Sequence, residues 1–177
     1  MVDPIVTLMM RLVSEPQEVR EVEPHEVPEP PEGEVNYWLT LVASDEKGTA
    51  EETIQTLVGQ EKAYAFGERT PGRAQIKPGD WICFYAAATG VVAQAKVASR
   101  PEKRPHLKVR DPDRFPWTFR LSDVSLYLKD PVLLDSPRWR SLDAYKEKEP
   151  DDNWSWFVQS TRKINEHDFR LLTRRAS

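Results

Sequence analysis

The chain changes character near residue 35, and that change limits the fold more than any motif does. All 17 aromatic residues lie after it. Residues 15–34 hold five prolines and eight glutamates. A segment of that composition cannot bury enough apolar surface to offset the entropy lost on ordering. The core must therefore come from residues 35–177, and residues 1–34 read as a short helix followed by a flexible acidic linker. Asp3-Pro4 has the form of a helix N-cap and first position, with Ile5, Leu8, Met9 and Leu12 on one face as far as about Val13. Such a helix can meet a protein partner or a second copy of the chain.

Charge divides at the same place. Residues 1–35 carry −7 and residues 36–177 carry +3, within a net charge of −4. An acidic tail ahead of a mildly basic, aromatic module suits a nucleic-acid binder. A plain soluble domain with an acidic leader has the same signature. The single cysteine, Cys83, sits in an apolar run and excludes an internal disulfide. That fits a reducing compartment, so a cytoplasmic location is expected. With three histidines and no CxxC, zinc-ligand spacing is absent, and neither metal nor cofactor is expected. Ile5–Val13 is too short to span a bilayer, and its flanks do not match a signal peptide.

Within residues 35–177 the pattern favours strands. Val35–Ala43, Ala63–Phe66, Trp81–Ala87, Val91–Ser99, Trp117–Leu128, Val132–Leu134 and Trp154–Gln159 all read as strand segments. Thr70-Pro71-Gly72-Arg73, Lys77-Pro78-Gly79-Asp80 and Thr89-Gly90 mark turns. Thr49 and Glu52 have capping-box spacing and predict a helix to about Gln60. A short helix should start at Ser136-Pro137 and end near Tyr145. Asn165 should cap a last helix with Phe169 and Leu172 buried. Residues 100–116, rich in proline and charge, should form a long loop. The sum is an α+β domain whose five or six strands curl toward a barrel, with short helices at its flanks.

Several motifs carry chemistry. In Asn153-Trp154-Ser155-Trp156-Phe157, strand alternation would put Trp154 and Trp156 on one side and Ser155 and Phe157 on the other. Core packing accounts for a single tryptophan, whereas a cluster with a hydroxyl among its rings also suits a ligand pocket. Asn36-Tyr37-Trp38 opens the first strand, where the Asn36 amide can read a base edge or simply end a turn. In Tyr64-Ala65-Phe66-Gly67, the glycine permits close approach of another chain. Arg69 and Arg73 follow it as possible phosphate contacts. The loop from Arg100 to Pro116 places Arg100, Lys103, Arg104, Lys108, Arg110 and Arg114 against Glu102, Asp111 and Asp113. Basic loops beside stacking aromatics are how single-strand binders work, though a charge run is often only a solvated face. No G-x-S-x-G, Gly-rich phosphate loop or nucleophile–base pair is present, so a non-catalytic role is expected.

Taken in order, Asn36-Tyr37-Trp38-Leu39, Ala65-Phe66-Gly67, Lys77-Pro78-Gly79-Asp80, Gly90-Val91-Val92-Ala93-Gln94-Ala95, Phe115-Pro116-Trp117 and Trp154-Ser155 resemble the EVE domain. That family belongs to the PUA-like superfamily, related to YTH and ASCH domains. The match runs over about residues 35–174. Phe66 stands where relatives tend to carry a tryptophan, and Gln159 where a glycine is expected. The resemblance implies a PUA-like barrel with an aromatic pocket for a modified nucleobase such as 5-methylcytosine, in DNA or RNA, entered by base flipping. The pocket residues it implies are Asn36, Trp38, Phe66, Tyr85, Trp154, Ser155 and Phe157. Arg69, Arg73, Arg100, Lys103, Arg104 and Lys108 would hold the phosphate backbone. Two rivals stay open: an ASCH-like hydrolase or nuclease, and a protein-interaction scaffold acting through the N-terminal helix.

Overall fold

The computed structural model describes residues 33–146 and 154–173. The helix and linker expected over residues 1–32 lie outside the described residues. Among the described residues seven strands form one sheet: β1 (Tyr37–Val42), β2 (Ala63–Phe66), β3 (Trp81–Ala86), β4 (Gly90–Val97), β5 (Glu102–Lys103), β6 (Trp117–Leu126) and β7 (Arg162–Ile164). Their order is β2-β6-β4-β3-β1-β7, with β5 pairing separately on β6. β1 and β3 run parallel, and the other neighbours are antiparallel. The sheet is mixed and curls into a half-barrel, as the α+β expectation required. Register shifts at Phe84/Tyr85 and at Gln94/Lys96 break the ladder where β3, β4 and β6 bend. An unpaired extra residue raises local twist, which is how such a sheet acquires its curl.

Strand alternation builds two cores, one on each side of the sheet. Trp38, Ile82 and Phe84 point to one side and join Val58, Phe66 and Phe119. Leu39, Cys83 and Tyr85 point to the other and join Leu142, Phe157 and Phe169. The second layer is made by short helices: α2 (Ser136–Arg140), a 3-10 turn at Asp143–Tyr145, a 3-10 turn at Trp154–Val158 and α3 (Glu166–Leu172).

Polar anchors fix how the layers meet. Asp80, fully buried, accepts the backbone N–H of Asn36 at 3.1 Å, the Trp38 indole N–H at 3.0 Å and the Lys77 backbone N–H at 3.1 Å. Its fourth partner is the Lys77 ammonium at 2.8 Å. The turn Lys77–Asp80 therefore ties the start of β1 to the start of β3. On the opposite side, buried Asp168 accepts the N–H groups of Asp143 at 2.6 Å and Ala144 at 3.1 Å. That carboxylate caps the 3-10 turn and docks it against α3.

Four expectations need correction. Residues 100–116 are not all loop, since Glu102–Lys103 pairs with β6 as β5. Trp154–Val158 is a 3-10 turn and not a strand, so alternation does not govern its side chains. Val132–Leu134 contributes one isolated bridge, Val91 to Val132, and no strand. The helix from Ser136 ends at Arg140, and Tyr145 belongs to a separate turn. The helix after Thr49 does form and carries the expected capping box. Its first turn, α1 (Ala50–Thr53), continues as a wider π-helical stretch, Ile54–Glu61. The Lys62 N–H reaches back to Leu57 O, with Lys62 left-handed at φ 49°.

Candidate nucleic-acid interface

The expected pocket residues do not meet in one slot. Trp38 and Phe66 are each 2% exposed and belong to the first core. Trp38 packs onto Gly72, where an added Cβ would lie 2.3 Å from the indole. Phe66 stacks at a tilt on Phe119, with centroids 4.8 Å apart. Tyr85 and Phe157 are buried in the second core, across the sheet. Only the backbone of Trp154 is described, and Ser155 is half-buried in the same turn. Asn36 and Phe157 do come together, along a groove of about 690 Å³ beside β7. Its walls carry four acids, Glu34, Asp143, Glu166 and Asp168, against two cations, Arg162 and Lys163, a balance that disfavours a phosphate backbone. Among the described residues Asp143, His167 and Asp168 could group around an ion, but each already serves the turn-to-helix contact.

A second cavity fits a base better. It opens at the far end of β1 from Asp80, between β1, α1 with its π-helical extension, β2 and the loop before β6. Its volume is about 310 Å³. That is at the lower end of the range for small-ligand sites, roughly 300–1,000 Å³. The floor is apolar: Leu57, Ala65 and Val109 form a small cluster against which Phe115 packs, half-buried. Leu41 and Tyr64 complete it. Burial pushes the Tyr64 phenol far above its ordinary value, so it stays protonated. Ser44, Asp45, Thr53 and Asp111 supply polar groups, and Arg110 and Arg114 the cations.

Local sequence explains why the loop closes over this cavity. At Gly67 an added Cβ would sit 3.2 Å from the Arg114 carbonyl oxygen. The glycine after Phe66 thus lets the backbone before Phe115 pack onto the end of β2, as the motif suggested. Asp111 starts the turn that carries Phe115, whose N–H donates to Asp111 O at 3.0 Å. Arg114 lies across the Phe115 ring, 5.3 Å from its centroid. Arg110 clamps the loop to the helix start: its Nη2 donates to Thr49 O at 2.9 Å and to Thr53 Oγ1, and Asp45 is 3.8 Å away.

The expected backbone cations sort into two groups. Arg69, Arg100, Lys103, Arg104 and Lys108 are exposed. Lys103 pairs with Glu68 at 2.6 Å and Arg104 with Glu102 at 3.9 Å, and such surface pairs yield readily to another anion. Arg73 differs. Its guanidinium stacks 3.9 Å from the centroid of Trp117, where it packs more than it reaches outward. Sequence reasoning did not assign Phe115, Tyr64 or Ser44 to the site, although Tyr64 stood in a quoted motif, and it placed Arg110 only in the basic loop. Phe115 stood in a quoted motif, and its proline and tryptophan neighbours were the signal.

No protein-family model and no curated protein matches the chain. Among solved structures it is similar to the YTH domain-containing protein mmi1 in its complex with RNA, at 12% identity over 77% of this chain and 78% of that one, with a TM-score of 0.47. It is similar to Rpa0253 from Rhodopseudomonas palustris, at 14% identity over 78% and 90% of the two chains, with a TM-score of 0.44. It is also similar to Atu2648 from Agrobacterium tumefaciens, at 16% identity over 76% and 88%, with a TM-score of 0.42.

Proposed function

We propose that this domain is a non-catalytic reader that holds an unpaired, modified base of the 5-methylcytosine type in the cleft beside Phe115. The observation that carries the reading is the cleft itself: an apolar floor with one aromatic wall, edged by polar groups and rimmed by Arg110 and Arg114. The resemblance of the motif order to the EVE domain supports the reader role, though Trp38, Phe66, Tyr85 and Phe157, among the pocket residues it implies, lie in the cores and not in this cleft. The base would stack on Phe115, and its added methyl would meet Leu57, Ala65 and Val109. A methyl in an apolar pocket discriminates by only about 1–3 kcal/mol. Ser44, whose Oγ accepts the Ala50 N–H at 2.8 Å and keeps its own hydroxyl hydrogen to donate, and backbone groups at the end of β1 must therefore supply edge hydrogen bonds. Exposed cations of the 100–108 segment would hold the strand.

The test is affinity for oligonucleotides with and without a single 5-methylcytosine. Loss of one base–aromatic stack, about 1–3 kcal/mol, weakens binding by roughly 5- to 150-fold in Phe115→Ala. A folded Phe115→Ala protein that binds as the wild type does removes the cleft from the reading. Release of a base or nucleoside product during the same incubation would favour the hydrolase instead.

A further inference from the structure

Leu107 is 100% exposed. A single exposed leucine is ordinary on a protein surface. This one stands on a braced support. The Val109 N–H donates to His106 O at 3.1 Å, and the Lys108 N–H to His106 Nδ1 at 3.1 Å. The His106 ring faces Glu61 across 3.8 Å, at the end of the π-helical stretch. Val109, 7% exposed, plugs the base of the turn into the apolar cluster with Leu57 and Ala65. The turn is thus fastened on both sides while its tip presents a bare aliphatic side chain.

Two exposed cations stand near that tip, with Glu61 behind the His106 ring and Glu102 3.9 Å from Arg104. Lys108 adjoins it, and Arg104 precedes it by three residues, both exposed. The tip also adjoins the proposed base site. Val109 lines the cleft, and two residues of chain reach no more than about 7 Å. An apolar point between cations, beside a base-sized cavity, matches one target well: a base stack between two phosphate strands.

We propose that Leu107 is a wedge that enters a duplex where the base has been taken into the cleft, with Lys108 and Arg104 on the neighbouring phosphates. Extrusion leaves a gap in the stack, and proteins commonly fill or open such gaps with leucine and other apolar side chains. Leucine has no hydrogen-bonding group, so the wedge adds no sequence preference. It makes double-stranded nucleic acid the substrate class. The inference rests on the base-reading role of the cleft.

The experiment uses the full chain with a duplex carrying one central 5-methylcytosine, and with the same modified strand alone. Anisotropy reads affinity, and 2-aminopurine beside the target reads unstacking. Leu107→Ala should weaken duplex binding about tenfold and abolish the unstacking signal. It should leave single-strand affinity within about twofold and Tm unchanged, since a side chain wholly in water stabilises nothing. Phe115→Ala should weaken both substrates. A Leu107→Ala protein that binds and unstacks the duplex like wild type overturns the wedge and leaves the cleft standing. So does a wild type that binds only the single strand. A wild type that binds neither overturns both proposals. Leu107-dependent binding to phosphatidylserine vesicles in place of the duplex would reassign the tip to a membrane surface.

Discussion

Asp80→Ala tests whether a buried carboxylate holds the β1–β3 junction. The side chain is wholly enclosed and accepts from three N–H groups and one ammonium. Alanine leaves all four without their acceptor. The Lys77 ammonium can turn to water, because its side chain is 26% exposed. The Trp38 indole N–H cannot, because Trp38 is 2% exposed. A buried donor left unpaired costs about 1–3 kcal/mol. With Trp38 counted fully and the half-buried Asn36 and Lys77 N–H groups in part, the loss comes to about 3–5 kcal/mol. Breaking a buried charge pair by removing one partner costs about the same, 3–5 kcal/mol. For a domain of this size that corresponds to a fall in Tm of about 10–15 °C. Thermal melts read at both near- and far-ultraviolet wavelengths give the shift. A double-mutant cycle with Trp38→Phe isolates the indole bond, and a coupling of about 1–2 kcal/mol is expected. An Asp80→Ala protein melting within about 3 °C of wild type would refute the clamp. Full additivity in the cycle would refute the indole bond. Asn36 and Ser44 lie at opposite ends of β1, so the folded fraction of Asp80→Ala should keep its oligonucleotide affinity.

Three more outcomes follow from the geometry. Gly72→Ala forces a side chain into a backbone at φ 78° and into the Trp38 ring, so we expect a loss of about 2–4 kcal/mol in urea unfolding, and a neutral result would contradict the packing. Glu51 is held below the usual carboxylate range mainly by the Thr89 hydroxyl, and Asp143 mainly by Lys146 and then Asn165. Their stabilising contribution is complete above the unfolded values and is lost as pH falls through the folded ones, so Tm should begin a modest decline below about pH 4 and be level above about pH 5.5. Arg104→Ala should weaken modified and unmodified oligonucleotides by the same factor and reduce the salt slope by about one, whereas a sequence-dependent loss would place Arg104 on a base.

Local signals in the sequence were sufficient wherever one residue type has one structural job. The Thr49/Glu52 box, the Asn165 cap, the glycine at position 67 and the turn around Gly79 each appear as expected, because the backbone donors and positive φ angles there leave few alternatives. Strand β7 escaped because Arg162-Lys163-Ile164 has neither length nor alternation, and it is recruited by pairing with Tyr37–Leu39. Trp154–Val158 was misread because large apolar residues in sequence fit a strand and a 3-10 turn equally well. In the turn, Trp156 and Phe157 meet edge to face at 5.8 Å instead of pointing apart.

The displaced pocket has one physical cause. β1 and β3 are parallel neighbours in the register Trp38 to Ile82 and Leu41 to Tyr85, so Trp38 and Tyr85 face opposite sides of the sheet. Each ring fills the core on its own side, and bringing both to one side would need a one-residue slip, which would turn every side chain of the strand over. A small two-sided core has to be filled, and the largest rings fill it: Trp38, Phe84, Phe119 and Phe157 are each no more than 2% exposed. Aromatic density along the strands therefore marks the core. The ring in the proposed cleft comes from Phe115, outside the strands, in a loop whose charge conceals its apolar members, while Tyr37 and Trp81 stay partly open on the strands themselves. Val109 and Phe115 close the cleft and Leu107 stands beside it, so the segment with the least periodicity supplies the surface with the most binding chemistry.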